Sequence, residues 1–312
     1  MTTTEAVEGA TEVAHKAAGD RTKALAALSI AALIWGFTPV AVRTLAKDLP
    51  PADLLVLRSI ISGGLFGLTL SLQGGWIIAW RDLPRFAASA ATGIAAYNLA
   101  SNFGMQVTSA SIGGLILGIE PLFIAVLAAL LLAEGLTVTT VAGLASAGAG
   151  TALLLWTQSG GDAAALGTGL KGPLLLLLAG FSWSLYVVLL KPLFPIYGSM
   201  RTTALTSVMG MAPLLLLASH RTLETAVSMT PWQWTLLLYH SVLGTVLSIY
   251  LWNYGNKYIA SANAAAFIYA VPLVSVVAGV AFLGEPLTAG LVVASVLILA
   301  GVFVAQLPRR RR

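Results

Sequence analysis

Ten apolar runs, near residues 24–44, 53–73, 86–106, 109–133, 138–157, 170–190, 201–219, 232–255, 260–283 and 287–307, occupy almost the whole chain. Each is bounded by glycine, proline, charge or a polar cluster. A helix needs about 20 apolar residues to cross the hydrocarbon core of a bilayer, and most of these runs meet that length. Only 9% of the residues are charged and the mean hydropathy is +0.89, whereas soluble domains carry roughly 25% charge, so a soluble globular fold is excluded. The runs are continuously apolar, with none of the alternation over about 10 residues that marks a barrel strand. The fold class predicted is an all-α integral membrane protein of ten transmembrane helices.

Charge orients the spans. With both ends in the cytoplasm, twelve basic residues fall inside (Lys16, Arg21, Lys23, Arg81, Arg85, Lys191, Arg201, Lys257 and Arg309 to Arg312) and four outside (Arg43, Lys47, Lys171, Arg221). The positive-inside rule therefore predicts cytoplasmic N and C termini. Arg58 alone lies within a span. The basic terminal run suits anionic cytoplasmic-leaflet lipid, and no nucleic-acid partner is expected. The polar stretch before residue 23 has no apolar signal-peptide core, so the first helix is expected to remain in the mature protein. The absence of cysteine removes thiolate chemistry, disulfides and Cys-based zinc sites, and no metal or other cofactor is expected.

An internal repeat divides the chain. Leu131-Leu132-Ala133-Glu134-Gly135-Leu136-Thr137 returns 151 positions later as Phe282-Leu283-Gly284-Glu285-Pro286-Leu287-Thr288. The same shift lays Pro121 on Pro272, Gly150 on Gly301, and Asn102-Phe103-Gly104 on Asn253-Tyr254-Gly255; a shift of 148 lays Trp35 on Trp183 and Arg43 on Lys191. The domains read as a polar cytoplasmic tail (1–23), a first five-helix unit (24–157), a linker (158–169), a second five-helix unit (170–307) and a basic tail (308–312). Five spans is an odd number, so the second unit must enter the membrane inverted.

The paired L-x-x-E-x-L-T turns, the ten-span layout and a tryptophan in each copy's first helix, over residues 24 to 307, resemble the drug/metabolite transporter superfamily and its EamA-type exporters. Within it the sequence is most similar to the aromatic amino-acid exporters of the YddG type. The resemblance implies a basket of helices around a central cavity, the fifth helix of each copy at the periphery, and alternating access.

Among twelve acidic residues, Glu120 alone sits deep in an apolar run. At that depth a carboxylate costs on the order of 3 kcal/mol on insertion scales, so it must be protonated, paired or facing water. It is a candidate for a proton or for a substrate ammonium, against a purely structural bridge between helices. Its repeat mate is Val271, so the shared scaffold does not demand it. Pro121 and Pro272 predict a break in equivalent helices and are candidate hinges. Asn98, Asn102 and Gln106, spaced four apart, form a polar stripe, and Tyr97 flanks it. Such a stripe lines water or bonds to a neighbouring helix. Trp35 with Thr38, and Trp183 with Tyr186, share helical faces, and Tyr250 lies inside the eighth run; these could wall a cavity that stacks a flat ring. His240 is a second proton or charge candidate. The Gly167-Thr168-Gly169-Leu170-Lys171-Gly172 match to a dinucleotide fingerprint follows no strand and carries no nucleotide site.

The reading is a non-enzymatic inner-membrane exporter of small organic solutes, aromatic or apolar amino acids by resemblance. Its partners are that solute and the lipid bilayer; oligomeric state is left open, a monomer included. Rival transport readings are nucleotide-sugars, phosphate esters, purines or cationic drugs. A phosphate carrier needs a basic cavity, for which Arg58 and Lys257 are a thin supply. An intramembrane lipid-modifying enzyme needs clustered acids or a metal set at depth, and one buried glutamate does not supply them. A receptor would bind solute without moving it.

Overall fold

The computed structural model describes residues 3–133, 136–158, 169–259, 264 and 267–305, with side chains from residue 20 onward. All regular structure among them is helical. In chain order the elements are α1 (Thr3–Asp48), α2 (Pro51–Gln73), α3 (83–107), α4 (Ala110–Leu132), α5 (Val138–Gln158), α6 (Lys171–Tyr197), α7 (Ser199–Leu217), α8 (His220–Ser228), α9 (Pro231–Tyr258), α10 (Ala270–Leu283) and α11 (Ala289–Ala305). Seven of these helices are long and apolar enough to cross a membrane: α1 from Asp20, α2, α4, α5, α6, α7 and α9. Two more, α10 and α11, are apolar but shorter, and α3 is not among the seven. The ten predicted runs thus appear as helices of unequal strength. α10 is short because the chain turns at Tyr269, splitting the predicted run over 260–283, and α3 is diluted by its own asparagine stripe. Glu134 and most of the predicted linker lie outside the described residues.

Helix ends reflect local chemistry. Pro50 and Pro51 start α2, where a missing N–H costs nothing, and Gly74 ends it in the left-handed conformation (φ 62°), which favours a residue without Cβ. Gly284 ends α10 the same way (φ 64°). Both prolines singled out in the sequence sit where a helix restarts. α4 turns at Gly118-Ile119 and resumes at Glu120-Pro121; α10 begins one residue after the turn at Tyr269, with Pro272 in its first turn. A proline is tolerated there because the first-turn N–H groups have no intrahelical acceptor.

The repeat is visible as recurring contacts. A Cβ placed on Gly104 of α3 would stand 2.9 Å from Leu176 Cγ of α6, and its mate Gly255 of α9 meets Leu28 of α1 in the same manner. Each unit's third helix therefore packs on the other unit's first, which interlocks the two units. α5 and α11 pack mainly on one another at the periphery. Small residues bring their backbones together: a Cβ on Gly150 would lie 2.9 Å from the Ala294 carbonyl, and one on Gly301 2.6 Å from the Ala147 nitrogen.

One departure from regular helix recurs at equivalent places. Ala90–Ala96 in α3 and Tyr239–Leu247 in α9 are wide π turns, and a 151-residue shift superposes them. Such turns hold one residue more than an α turn and are concentrated at functional sites.

Candidate functional site

The two π turns face the interior. Gly93, in the turn of α3, lies directly under the Tyr186 ring of α6, and its mate Gly244, in the turn of α9, lies 3.2 Å (to a placed Cβ) from Thr38 Oγ1 of α1. The relation is shared by the two halves, but its occupant is not: a tyrosine on one side, a threonine on the other.

That difference builds an aromatic wall in one half. Tyr97 meets Trp183 at 5.2 Å between ring centroids, and Trp183 meets Tyr186 at 4.9 Å. The tilted rings sit at separations typical of attractive aromatic pairs. Tyr97 and Trp183 are half-buried, whereas Tyr186 is only 4% exposed and its hydroxyl lies 3.3 Å from Thr206 Oγ1 of α7. Tyr186 is therefore the packed base of the wall.

Glu120 begins the second half of α4, against α6. The Ser184 hydroxyl donates to the Glu120 carbonyl (3.1 Å), and a Cβ on Gly180 would stand 3.5 Å from Glu120 Cγ. Its side chain is half-buried and accepts no hydrogen bond among the described residues. The mid-span acid, the aromatic wall and the break in α4 thus meet in one place.

A second group forms around α1 and α9. Trp35 Nε1 donates to the Gly244 carbonyl (3.1 Å), Trp35 meets Trp252 at 5.3 Å, and the Tyr239 hydroxyl donates to the Ile34 carbonyl (2.6 Å). Thr38 bonds back to Ile34 within its own helix. Tyr250 pairs with Thr69 Oγ1 of α2 at 2.8 Å. Trp35, Thr38 and Tyr250 are thus occupied with joining α9 to α1 and α2.

The asparagine stripe behaves differently from either expectation. Asn98 donates to the Ile94 carbonyl and Asn102 to the Asn98 carbonyl, each four residues back, and they are 3% and 4% exposed. Asn253, the mate of Asn102, donates in the same way to Ile249. The amides of Asn98 and Asn102 thus bond within their own helix, and that of Asn253 also approaches Met200 Sδ of α7 at 3.8 Å.

Two residues do more than their sequence context suggests. Arg58 of α2, buried, donates to Thr245 Oγ1 of α9 at 2.9 Å, beside His240, whose carbonyl accepts from the same threonine. Its being the single intra-span base was the available signal. Glu285, in the repeated L-x-x-E-x-L-T turn, accepts from the Ala110 and Ser111 nitrogens at 2.6 and 2.8 Å, capping the start of α4. Arg43 caps the preceding end of α3 through the Met105 and Gln106 carbonyls. Acid at a helix start and base at a helix end both complement the helix dipole.

The EamA-like transporter family matches residues 22–156 and 170–306, one unit over each half of the chain. An uncharacterized transporter of Archaeoglobus fulgidus is 25% identical over 89% of this chain and 96% of its own. A probable terminal-alkyne amino-acid exporter of Streptantibioticus cattleyicolor is 27% identical over 93% of this chain and 96% of its own. A solved crystal structure, 21% identical, shares the fold with a TM-score of 0.61 over 91% of this chain and 96% of the other. The relatives are named as transporters, which supports a non-enzymatic role. With both halves matched, the chain belongs to the EamA-like transporter family.

Proposed function

We propose that the protein exports small organic solutes, aromatic or apolar amino acids foremost, across the cell's inner membrane. Ten helices span the bilayer as two inverted five-helix units, α8 lying outside that count, and both termini are cytoplasmic. Solute binds between the units and is released by alternating access, the restarts at Pro121 and Pro272 serving as hinges.

The observation that carries this reading is the Tyr97–Trp183–Tyr186 wall beside a half-buried acid. Flat rings stack on such a wall, and a carboxylate in a low-dielectric interior attracts an ammonium group. A relative named as an amino-acid exporter supports the solute class. Discontinuous helices at the meeting point of inverted repeats are where transporters of this general design hold solute.

Counterflow in liposomes tests the proposal. Purified protein is reconstituted with unlabelled solute inside and labelled solute outside, across a panel of amino acids, amines and phosphates. Accumulation of labelled phenylalanine or tryptophan above empty liposomes is expected. Accumulation of a phosphate ester with no amino acid moved overturns the reading.

A further inference from the structure

Among the described residues four buried side-chain polar atoms have no hydrogen-bond partner, and three of them share one interface: Arg58 Nε of α2, with His240 Nδ1 and Ser241 Oγ of α9. The three residues are 8%, 8% and 0% exposed. The interface is otherwise well bonded. Arg58 reaches Thr245 Oγ1 at 2.9 Å, Thr245 donates to the His240 carbonyl at 2.9 Å, and Ser62, one turn along α2 from Arg58, donates to the Ser241 carbonyl at 3.0 Å. The unmade bonds are therefore concentrated, and leaving a buried donor or acceptor unpaired is costly.

Charge adds a second requirement. Arginine stays protonated in proteins, and a guanidinium at membrane depth needs a counter-charge. No ion pair joins Arg58 to an acid among the described residues. Asp53, on the same helix, is committed to the hydroxyls of Thr222 and Thr225 at 2.7 Å each. Glu120 makes no ion pair with Arg58 among the described residues. A guanidinium N–H, an imidazole nitrogen and a hydroxyl can all donate, and the common acceptor for three donors beside a positive charge is a small anion. Gly244, in the π turn, leaves the backbone beside the imidazole bare: His240 Nδ1 lies 3.5 Å from where a Gly244 Cβ would stand.

We propose that Arg58, His240 and Ser241 form an anion subsite that takes the carboxylate of the transported solute, an assignment that deepens the exporter reading and rests on it for the ligand's identity.

The test monitors thermal unfolding of the purified full-length protein in detergent at constant ionic strength, with sodium gluconate replaced stepwise by sodium acetate or sodium chloride. 3-Phenylpropionate and phenethylamine, a ring with a carboxylate and a ring with an amine, are then titrated. Acetate and 3-phenylpropionate are expected to raise the midpoint of the wild type in proportion to ligand binding. Arg58→Gln is expected to abolish both shifts. His240→Gln and Ser241→Ala are expected to weaken 3-phenylpropionate by about tenfold, the loss of one charge-assisted or buried bond. Equal shifts in wild type and Arg58→Gln overturn the subsite. A chloride shift matched by none from either carboxylate overturns the carboxylate assignment. Should Arg58→Gln not fold, Arg58→Lys keeps the charge but loses the planar fork, and unchanged affinity there overturns the subsite equally. Absence of amino-acid counterflow with the acetate shift intact sinks the exporter reading and leaves the anion site; counterflow equally fast in Arg58→Gln sinks the subsite and leaves the exporter.

Discussion

Ser146 of α5 donates its hydroxyl to the carbonyl of Leu297 of α11 at 2.9 Å, and the two residues are 151 positions apart. That separation is the repeat shift itself, so Ser146 touches its own mate. A residue can do this only where the axis relating the two units passes. The neighbouring contacts obey the same symmetry: Gly143 meets the Gly301 carbonyl and Gly150 the Ala294 carbonyl, and the shift exchanges one pair for the other. Inversion of the second unit is thus written into the packing of α5 on α11.

The proposed arrangement of two inverted five-span units brings both ends out on the cytoplasmic side. Cysteines at Thr2 and Arg312, in a chain that has none of its own, are expected to react together with a membrane-impermeant maleimide only from the cytoplasmic face. Labelling from opposite faces overturns the ten-span arrangement.

Glu120 tests the meeting point of the units. Glu120→Gln keeps the shape of the side chain and removes its charge. Expected is a fall of about tenfold or more in amino-acid exchange, in line with the loss of a single ion pair in a dry site, together with a flattened pH profile. Exchange equal to wild type at every pH assigns the acid a structural role.

The aromatic wall makes a separate demand. Trp183→Ala removes a stacking partner worth about 0.5–1.5 kcal/mol beyond buried area, so binding of phenylalanine is expected to weaken by roughly three- to tenfold in a fluorescence or calorimetric titration. Glycine or alanine flux, which uses no ring, is expected to change far less. An equal loss for both solutes removes the wall from recognition.

Gly93 and Gly244 occupy equivalent π turns under unequal neighbours. Gly93→Ala drives a methyl into the Tyr186 ring, an overpacking that costs about 1–3 kcal/mol. Gly244→Ala meets only Thr38 Oγ1 at 3.2 Å, which small shifts absorb. A clear fall in the unfolding midpoint is expected for the first and a small one for the second. Equal effects contradict the packing described for Tyr186.

Glu285 caps α4 from the neighbouring helix pair. Glu285→Ala leaves two N–H groups at a helix start unpaired and removes a favourable charge, at a cost of about 2–4 kcal/mol, read as a lower midpoint. Glu285→Gln retains one acceptor and is expected to lie between. No change in either variant removes Glu285 as the cap.

The repeat was legible because much of it is carried by residues that backbone geometry demands: the glycines at close crossings and the prolines at helix restarts, with Glu285 of the second turn a helix cap. The site was less so. Asn98 and Asn102 announce a polar face, yet an asparagine amide can reach the carbonyl four residues back, and spacing alone does not say that it will. Tyr186 shares a helical face with Trp183, but its burial depends on Gly93, more than ninety residues away. Arg58 is conspicuous as an intra-span base, whereas Thr245 and His240 come to it across more than 180 positions. The π turns contain no proline and leave no mark in the apolar pattern.

Those turns set the register of the helical segments beyond them. One surplus residue advances a helix by roughly 100°, so everything from Tyr97 onward in α3 is rotated relative to a continuous α-helix, and likewise from Ser248 in α9. Deleting Ala91 would straighten α3 and swing Tyr97 off Trp183 without altering a single side chain at the site. The stacking of Tyr97 on Trp183 is thereby hostage to chain length, not only to residue identity.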